Sequence, residues 1–433
     1  MIKMVIRPFN YRLDRYFIKK TGRREHNAKK RIYVQIASYR DSQLKPTIRD
    51  CLTKAKYPQN LVFGICWQRD ESENLDEFIT DSRFRVIEVS YKESKGVCWA
   101  RNQIQQKYRG EDYTLQIDSH HRFVRNWDVK CIEMIESLRA NGFSKPILTT
   151  YAPSFDPQSD PCSRGRTPWK MNFERFTPDG FLSVHPATIP VHNRLKMPIP
   201  SRFYSAHFAF TLGGFCKEVQ HDPNCYFHGE EINIAVRAFS HGYDLFHPHK
   251  IIIWHEYTRR NRIKHWEDHE DWYKLNADSL RRNRILFEME EEKNYIDFGK
   301  HGFGNKRSLR DYEKYAGINF KLRAVQQYTY EGKTPPNPQQ YSDDQEWLDS
   351  FCKHQRCRIH LRRNEIPKET DCDFWYIGLH NRGGEEIYRQ DVTGEEIRCD
   401  INVSRWEKII EFWCTETVTT WTVWPHSRTK GWL

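Results

Sequence analysis

The sequence predicts an α/β fold: a mainly parallel sheet flanked by helices, followed by a C-terminal antiparallel β-sandwich. Three observations predict it. Over residues 31–150, short β-branched runs alternate with helical stretches of about ten residues, the pattern of βαβ units. Gly332-Lys333-Thr334-Pro335-Pro336-Asn337-Pro338 reads as a linker. Beyond it the hydrophobic period falls to two, as in half-buried strands.

In chain order, residues 1–30 form a basic arm with interspersed apolar residues, either a solvated basic face or a contact for nucleic acid or a membrane surface. The first strand is expected over 31–36 (RIYVQI) and runs into Ser38-Tyr39-Arg40-Asp41. A helix follows over 44–54; Pro46 is tolerated because its missing N–H falls in the first turn. Strands are expected over 61–67 and 84–89, then a helix over 97–108. After the turn Gly110-Glu111-Asp112, an apolar strand runs from Tyr113 to Asp118-Ser119-His120. A helix over 127–138 and a strand over 146–150 follow.

Prolines recur over 152–200 and suppress any period, so an irregular insertion covering the substrate site is expected. Sheet character resumes over 202–212, a helix over 232–240, and a strand over 251–254 that ends at His255. Residues 264–330 read as a charged helical extension. Past the linker, strands over 374–380 and 386–389 flank the hairpin signal Asn381-Arg382-Gly383-Gly384, with further strands over 397–403, 408–414 and 418–424. This divides the chain into an arm (1–30), a main domain (31–330) and a sandwich (340–433).

A hydrophobic fraction of 38% and an aromatic fraction of 14% supply a core. No apolar run approaches the ~18 residues of a membrane span, and the N-terminus lacks a signal peptide's apolar stretch, so a cytoplasmic protein is expected. The net charge of +11 suits anionic partners such as sugar nucleotides or nucleic acid. The 12 cysteines form no Cys-x-x-Cys pairs, which argues against structural zinc and for reduced thiols.

Ligands of open α/β sheets bind beyond the carboxyl ends of the strands. Three groups are expected at such ends of one sheet: Ser38-Tyr39-Arg40-Asp41, Asp118-Ser119-His120, and His255. Asp118 and His120 lie two apart, so both can reach one ion while Ser119 points elsewhere. A carboxylate with imidazoles suits a divalent cation that also holds phosphate oxygens, with Mn²⁺ taking nitrogen ligands more readily than Mg²⁺. Alone, each is more readily a solvated strand end or a satisfied core or loop histidine. Glu230 and Glu231 follow Gly229 at a helix start, where the dipole favours acids; the alternative is a role toward the acceptor hydroxyl or the sugar. Arg101 is either a fork for a diphosphate or a structural ion pair. Trp375, Tyr376, Trp421 and Trp424 in the sandwich either stack on sugars or form core.

The segments KGVCWARNQIQQKYRGEDYTLQIDSHHRFVRNWD, RFYSAHFAFTLGGFCKEVQHDPNCYFHGEEINIAVRAFSHGYDLF and WHEYTR resemble the polypeptide GlcNAc-transferases that include the cytoplasmic hydroxyproline-modifying enzymes. The resemblance spans roughly residues 31–321. It implies a GT-A glycosyltransferase fold, a UDP-sugar donor, a divalent metal (Mn²⁺ or Mg²⁺) and retention at the anomeric carbon. It places Asp118-Ser119-His120 on the family's Asp-x-Asp-like motif, with His where the usual motif has a second acid. The expected site is then Asp118, His120 and His255 for the metal; Ser38, Tyr39, Arg40, Asp118 and Ser119 for the donor; and Arg101, Glu230 and Glu231 for catalysis. The expected reaction moves GlcNAc to a protein hydroxyl. The rivals are transfer to hydroxylated bases in DNA, motivated by the basic arm, and a non-catalytic carbohydrate- or polymer-binding protein on a transferase shell. The sequence leaves the oligomeric state open.

Overall fold

The computed structural model describes residues 30–258, 262–290, 296–339, 341–366, 371–399 and 405–433. The basic arm, which with the net positive charge motivated the DNA reading, lies outside the described residues except for Lys30.

Strands β1 (Ile32–Tyr39), β2 (Leu61–Arg69), β3 (Phe84–Ser90) and β4 (Tyr113–Asp118) pair in parallel in the order β3-β2-β1-β4. Along the chain follow β5 (His121–Phe123), β6 (Pro146–Thr149), β7 (Trp169–Phe176), β8 (Leu182–Thr188), β9 (Ile199–Pro200), β10 (Phe208–Leu212), β11 (Asp244–His247) and β12 (Ile253–His255). The sheet continues past β4 as β10-β6-β11-β9; β10 runs antiparallel to both neighbours. The expected α/β fold with a mainly parallel sheet is the one found.

Both faces of the sheet are covered, which is why its central strands are apolar at nearly every position. Alternate residues feed two cores. Val34, Ile36, Leu115, Phe208 and Phe210 meet Ile48 and Trp127 on one face. Ala209, Ile147 and Leu245 meet Ile234, Val236 and Tyr312 on the other. The helix Leu44–Lys54 falls where its periodicity predicts and buries Leu44, Thr47, Ile48 and Cys51. Gly64 is required by a close approach. A Cβ there would lie 2.0 Å from the Tyr33 hydroxyl, which crosses β2 to donate to Ile104 O at 2.7 Å.

Several expectations change. The insertion 152–200 is not wholly irregular: β7 and β8 form an antiparallel hairpin whose Met171, Phe173 and Leu182 enter the second core. Its strand signal is masked by prolines that lie mostly outside the ladder. The strand ending at His255 is not in the large sheet. The place beside β11 is taken by β9, and β12 pairs antiparallel with β5 as a separate two-stranded ribbon. The stretch 332–338 is packed rather than free. Asn337 is buried, accepts from Arg202 Nη2 at 2.5 Å and donates to Gln326 Oε1 at 2.7 Å.

The C-terminal part comprises β13 (Ile318–Asn319), β14 (Ala324–Gln326), β15 (Phe351–Arg362), β16 (Cys372–His380), β17 (Glu386–Arg389), β18 (Val392–Thr393), β19 (Arg405–Cys414), β20 (Thr420–Ser427) and β21 (Gly431–Trp432). One antiparallel sheet has the order β13-β14-β15-β19; the other has β17-β16-β20-β21, with β18 on β16. Ile359, Leu361, Ile410 and Phe412 of the first meet Trp375, Ile377 and Leu379 of the second in one core, which makes a sandwich. Strand β15 escapes sequence reading because Arg356 and Arg358 pair across the ladder with Glu411 and Glu407, so its exposed face is charged. The strand expected over 397–403 is instead a helix, Gly394–Cys399, before residues outside the described set. Thr393 Oγ1 accepts the Glu396 N–H at 3.2 Å and starts it. No helix among the described residues is long and apolar enough to cross a membrane. The cysteines described in full are free thiols.

Candidate active site

The parallel register sets Ala37 beside Asp118, so residues 38–41 and 118–120 leave the sheet at the same carboxyl edge. The chain then reverses into β5, whose ladder with β12 pairs His121 with His255. The Glu256 N–H donates to His120 O at 3.2 Å and closes that end of the ribbon. These two constraints bring three distant residues together.

The His255 Nε2 lies 3.5 Å from Asp118 Oδ2, the His120 Nε2 lies 3.8 Å from the same oxygen, and the two Nε2 atoms are 3.1 Å apart. Those separations are close to the spacing of adjacent ligands around one cation at bond lengths of about 2.0–2.2 Å. Two imidazoles and a carboxylate on one side also leave coordination positions open, the donor set of a facial triad. Neighbouring groups prepare the set. Asp41 Oδ2 accepts from His120 Nδ1 at 2.7 Å and from Ser119 Oγ at 2.7 Å. Burial pushes the Asp41 carboxyl up, but the His120 bond and the nearby Arg262 guanidinium outweigh it and hold it below the usual carboxylate range. With the ring proton on Nδ1 toward the ionised Asp41, the Nε2 lone pair faces Asp118 and His255. Arg262 also abuts this nitrogen and reaches Glu256 at 3.6 Å.

Burial disfavours charge on Asp118 as well, yet the hydrogen bond from His255 and the charge of Arg101 hold its carboxyl well below its ordinary value. His255 is pushed the other way, by burial first and then by His207, so its ring is neutral at pH 7 and can ligate through Nε2 once its proton sits on Nδ1. The rings of His207 and Tyr257 pack on His255 at 4.3 and 4.2 Å.

Arg101, buried on the helix Val97–Gln105, donates from Nη1 to Glu230 Oε2 at 2.6 Å and from Nη2 to Asp118 Oδ1 at 2.8 Å. It therefore ties the strand-end carboxylate to the helix Glu230–Ser240 rather than projecting into open space. Glu231, next along that helix, accepts from the Tyr151 hydroxyl at 2.7 Å and from the Ala206 N–H at 2.9 Å. Burial raises its carboxyl to about 7 against those two bonds. Glu230 and Glu231 thus have different surroundings, which their adjacency in sequence could not reveal.

Ser38 is buried at the end of β1. The Tyr39 hydroxyl donates to Asp268 Oδ2 at 2.6 Å, and Arg40 donates to Asp268 Oδ1 at 3.0 Å and to Asp70 Oδ2 at 3.2 Å. An open cleft nearby, at the carboxyl ends of β2 and β3, is lined by Arg69, Asp70, Ser72, Ser90, Tyr91 and Lys92. Asp268, Arg262, His207, Tyr257 and Tyr151 were missed as site residues. His207 and Tyr257 lie within the segments that carry the resemblance, but no local pattern gives any of the five a role; only the third dimension does. Asp41 had a signal, as a carboxylate directly after the Ser38-Tyr39-Arg40 group.

Residues 31–79 and 73–322 match the model of the family described as Glycosyltransferase (GlcNAc), together more than half of the chain. The chain belongs to this glycosyltransferase family. The converging residues lie inside the matched region. No curated protein matches it. Among solved structures it is similar to GalNAc-T7 with UDP, GalNAc and Mn²⁺ at 13% identity and a TM-score of 0.44, covering 65% of this chain and 56% of that one. The chain thus spans little more than half of that protein's length. TarS of S. aureus (residues 1–349) in complex with UDP-GlcNAc is 11% identical, with a TM-score of 0.37 over 61% of this chain and 68% of that one. The mannosyltransferase PcManGT of Pyrobaculum calidifontis with GDP-Man and Mn²⁺ is 8% identical, with a TM-score of 0.36 over 59% and 70%.

Proposed function

We infer that this glycosyltransferase is a retaining, metal-dependent enzyme that moves GlcNAc from UDP-GlcNAc to a hydroxyl of a protein acceptor in a cytoplasmic setting. The observation that carries the reading is the convergence of Asp118, His120 and His255 at the carboxyl edge of the sheet. These residues would hold a divalent cation, and their two nitrogens favour Mn²⁺ over Mg²⁺. When bound, the cation neutralises charge on the departing diphosphate.

The protein's own groups do the rest. Asp41 fixes the His120 ring, with Ser119 hydrogen-bonded to the same carboxylate, and Arg101 fixes Asp118. Arg40 pairs with Asp70 and lies 4.3 Å over the Tyr91 ring, both lining the cleft at the ends of β2 and β3, which suits the nucleoside. Glu231, with a carboxyl poised near neutrality and anchored by Tyr151, is placed to hold a sugar or acceptor hydroxyl by hydrogen bonding. Glu230 balances Arg101. The free thiols of the fully described cysteines support a reducing compartment.

The test offers purified protein UDP-GlcNAc, UDP-GalNAc and UDP-glucose with MnCl₂ and measures released UDP, with and without hydroxyproline peptides. UDP release from UDP-GlcNAc that rises with peptide is expected, with the α-anomer seen by NMR of the product. Asp118→Ala should lose it by at least about a hundredfold. Turnover by that variant at the native rate would refute the metal role.

A further inference from the structure

The outer face of the second sandwich sheet carries a group of aromatic rings that the transferase site does not use. The register pairs Tyr376 with Trp424, Phe374 with His426, and His426 with Trp432, so all five side chains stand on one face. The opposite face carries Trp375, Ile377 and Leu379 into the core. Trp424 is 47% exposed and Trp432 46% exposed, with ring centroids 5.2 Å apart and planes inclined by 37°. Phe374 and His426 support Trp432 edge-on from beneath, at 5.5 and 5.1 Å.

The rings are held, not loose. Trp424 Nε1 donates to Leu433 O at 2.7 Å. Tyr376 lies down along the sheet over Gly378, where a Cβ would come within 1.9 Å of its hydroxyl; a glycine there is what lets the ring lie flat. That hydroxyl donates to Glu386. Arg389 sits 5.0 Å over the Tyr376 ring and is paired with Asp391 at 2.7 Å.

This combination selects a ligand class. The Trp424 N–H and the Tyr376 O–H are already bonded within the protein, so what the platform offers is ring face. Around it stand hydrogen-bonding groups: Arg389, its charge matched by Asp391 at 2.7 Å, and the His426 ring, bonded to Asp373 at 2.9 Å. A phosphate polymer would want unmatched cations. A neutral ligand with an apolar C–H face and hydroxyls at its rim fits both features, and pyranose rings have that form. We propose that Trp424 and Trp432, flanked by Tyr376 and Arg389, form a binding platform for a neutral glycan, separate from the transfer site.

The test uses the full chain, with chitohexaose, cellohexaose and mannohexaose as probes, followed by calorimetry and tryptophan fluorescence. Saturable binding of at least one probe is expected. Trp424→Ala and Trp432→Ala should each weaken it about tenfold, the double variant should abolish it, and Trp424→Phe should restore most of it. Ile409→Ala, an exposed residue of the other sheet, should leave binding unchanged. UDP release should be native in all of these variants, and thermal melting should confirm that they fold. Three results would overturn the proposal: no probe binds, the double variant binds like the native chain, or the native chain sediments as a dimer that the double variant dissociates. Because binding is read without catalysis, failure of the transferase reading leaves this test intact.

Discussion

Replacing Asp41 by Asn isolates the orientation of His120 from its identity. The carboxylate takes four hydrogen bonds: from His120 Nδ1 at 2.7 Å, from Ser119 Oγ at 2.7 Å, from Arg262 Nη1 at 3.5 Å and from the Gln43 N–H at 2.8 Å. All four partners are donors, and an amide has only one acceptor atom. If the new NH₂ faces His120, the ring must accept at Nδ1, and its proton moves to Nε2, the atom that faces Asp118 and His255. If the amide flips, its NH₂ meets the Gln43 N–H and a bond worth about 1 kcal/mol is lost. In either arrangement the negative charge behind the imidazole disappears. Loss of such an outer partner typically weakens metal binding by about 10–100-fold, or about 1.4–2.7 kcal/mol. Titrating MnCl₂ into metal-free protein by calorimetry, with free Mn²⁺ followed by EPR, measures it. The expected result is a raised Mn²⁺ dissociation constant with the rate at saturating Mn²⁺ largely kept. Native Mn²⁺ affinity in a variant that melts like the native protein would refute the chain of reasoning from Asp41 through the tautomer to the metal.

Glu231→Gln tests the raised carboxyl. Its folded value of about 7 lies above its ordinary 4.5, so its stabilising contribution is complete below pH 4.5 and is lost as pH rises through 7. The variant should therefore gain on the native protein by about 2–3 kcal/mol between pH 5 and 8, read as a widening gap in Tm; a constant gap would show an ordinary carboxyl. Arg101→Met leaves Asp118 and Glu230 both uncompensated and should cost about 3–5 kcal/mol without metal. Mn²⁺ should then raise Tm more in the variant than in the native protein, because the cation takes over the charge of Asp118; an equal rise would argue against a shared site.

What the sequence made legible was what local pattern encodes. The helix Leu44–Lys54 was readable to the residue because its apolar positions repeat along one face. Asp118 and His120 were readable because an apolar run ended in two ligand types at strand spacing. Three kinds of feature were not. The hairpin β7–β8 was hidden by flanking prolines, and β15 by charges that pair across a ladder. The contact of Asp268 with Tyr39 and Arg40 joins residues more than two hundred positions apart and leaves no local trace. The fate of Arg101 was open for a related reason. A guanidinium suits a diphosphate and a pair of carboxylates equally, and only the fold puts Glu230 and Asp118 on either side of it.

The deepest dependence is one of parity. In the β5–β12 ribbon, Ile253 pairs with Phe123 and His255 with His121, and alternation puts all four side chains on the same face. Phe123 and Ile253 are almost wholly buried in the first core. A slip of one residue would turn both out of the core, so burial of two apolar side chains selects the register that also aims His255 inward. The other edge of β12 is held by the insertion. The His255 N–H donates to Pro153 O at 3.0 Å, the Phe155 N–H donates to His255 O at 3.1 Å, and Trp254 Nε1 donates to Gly165 O at 2.8 Å. A strand of three residues is too short to define itself, and here it is fixed from both sides. The proline-rich stretch that breaks the sequence pattern therefore clamps His255, the residue of the candidate metal triad that lies far along the chain from Asp118 and His120.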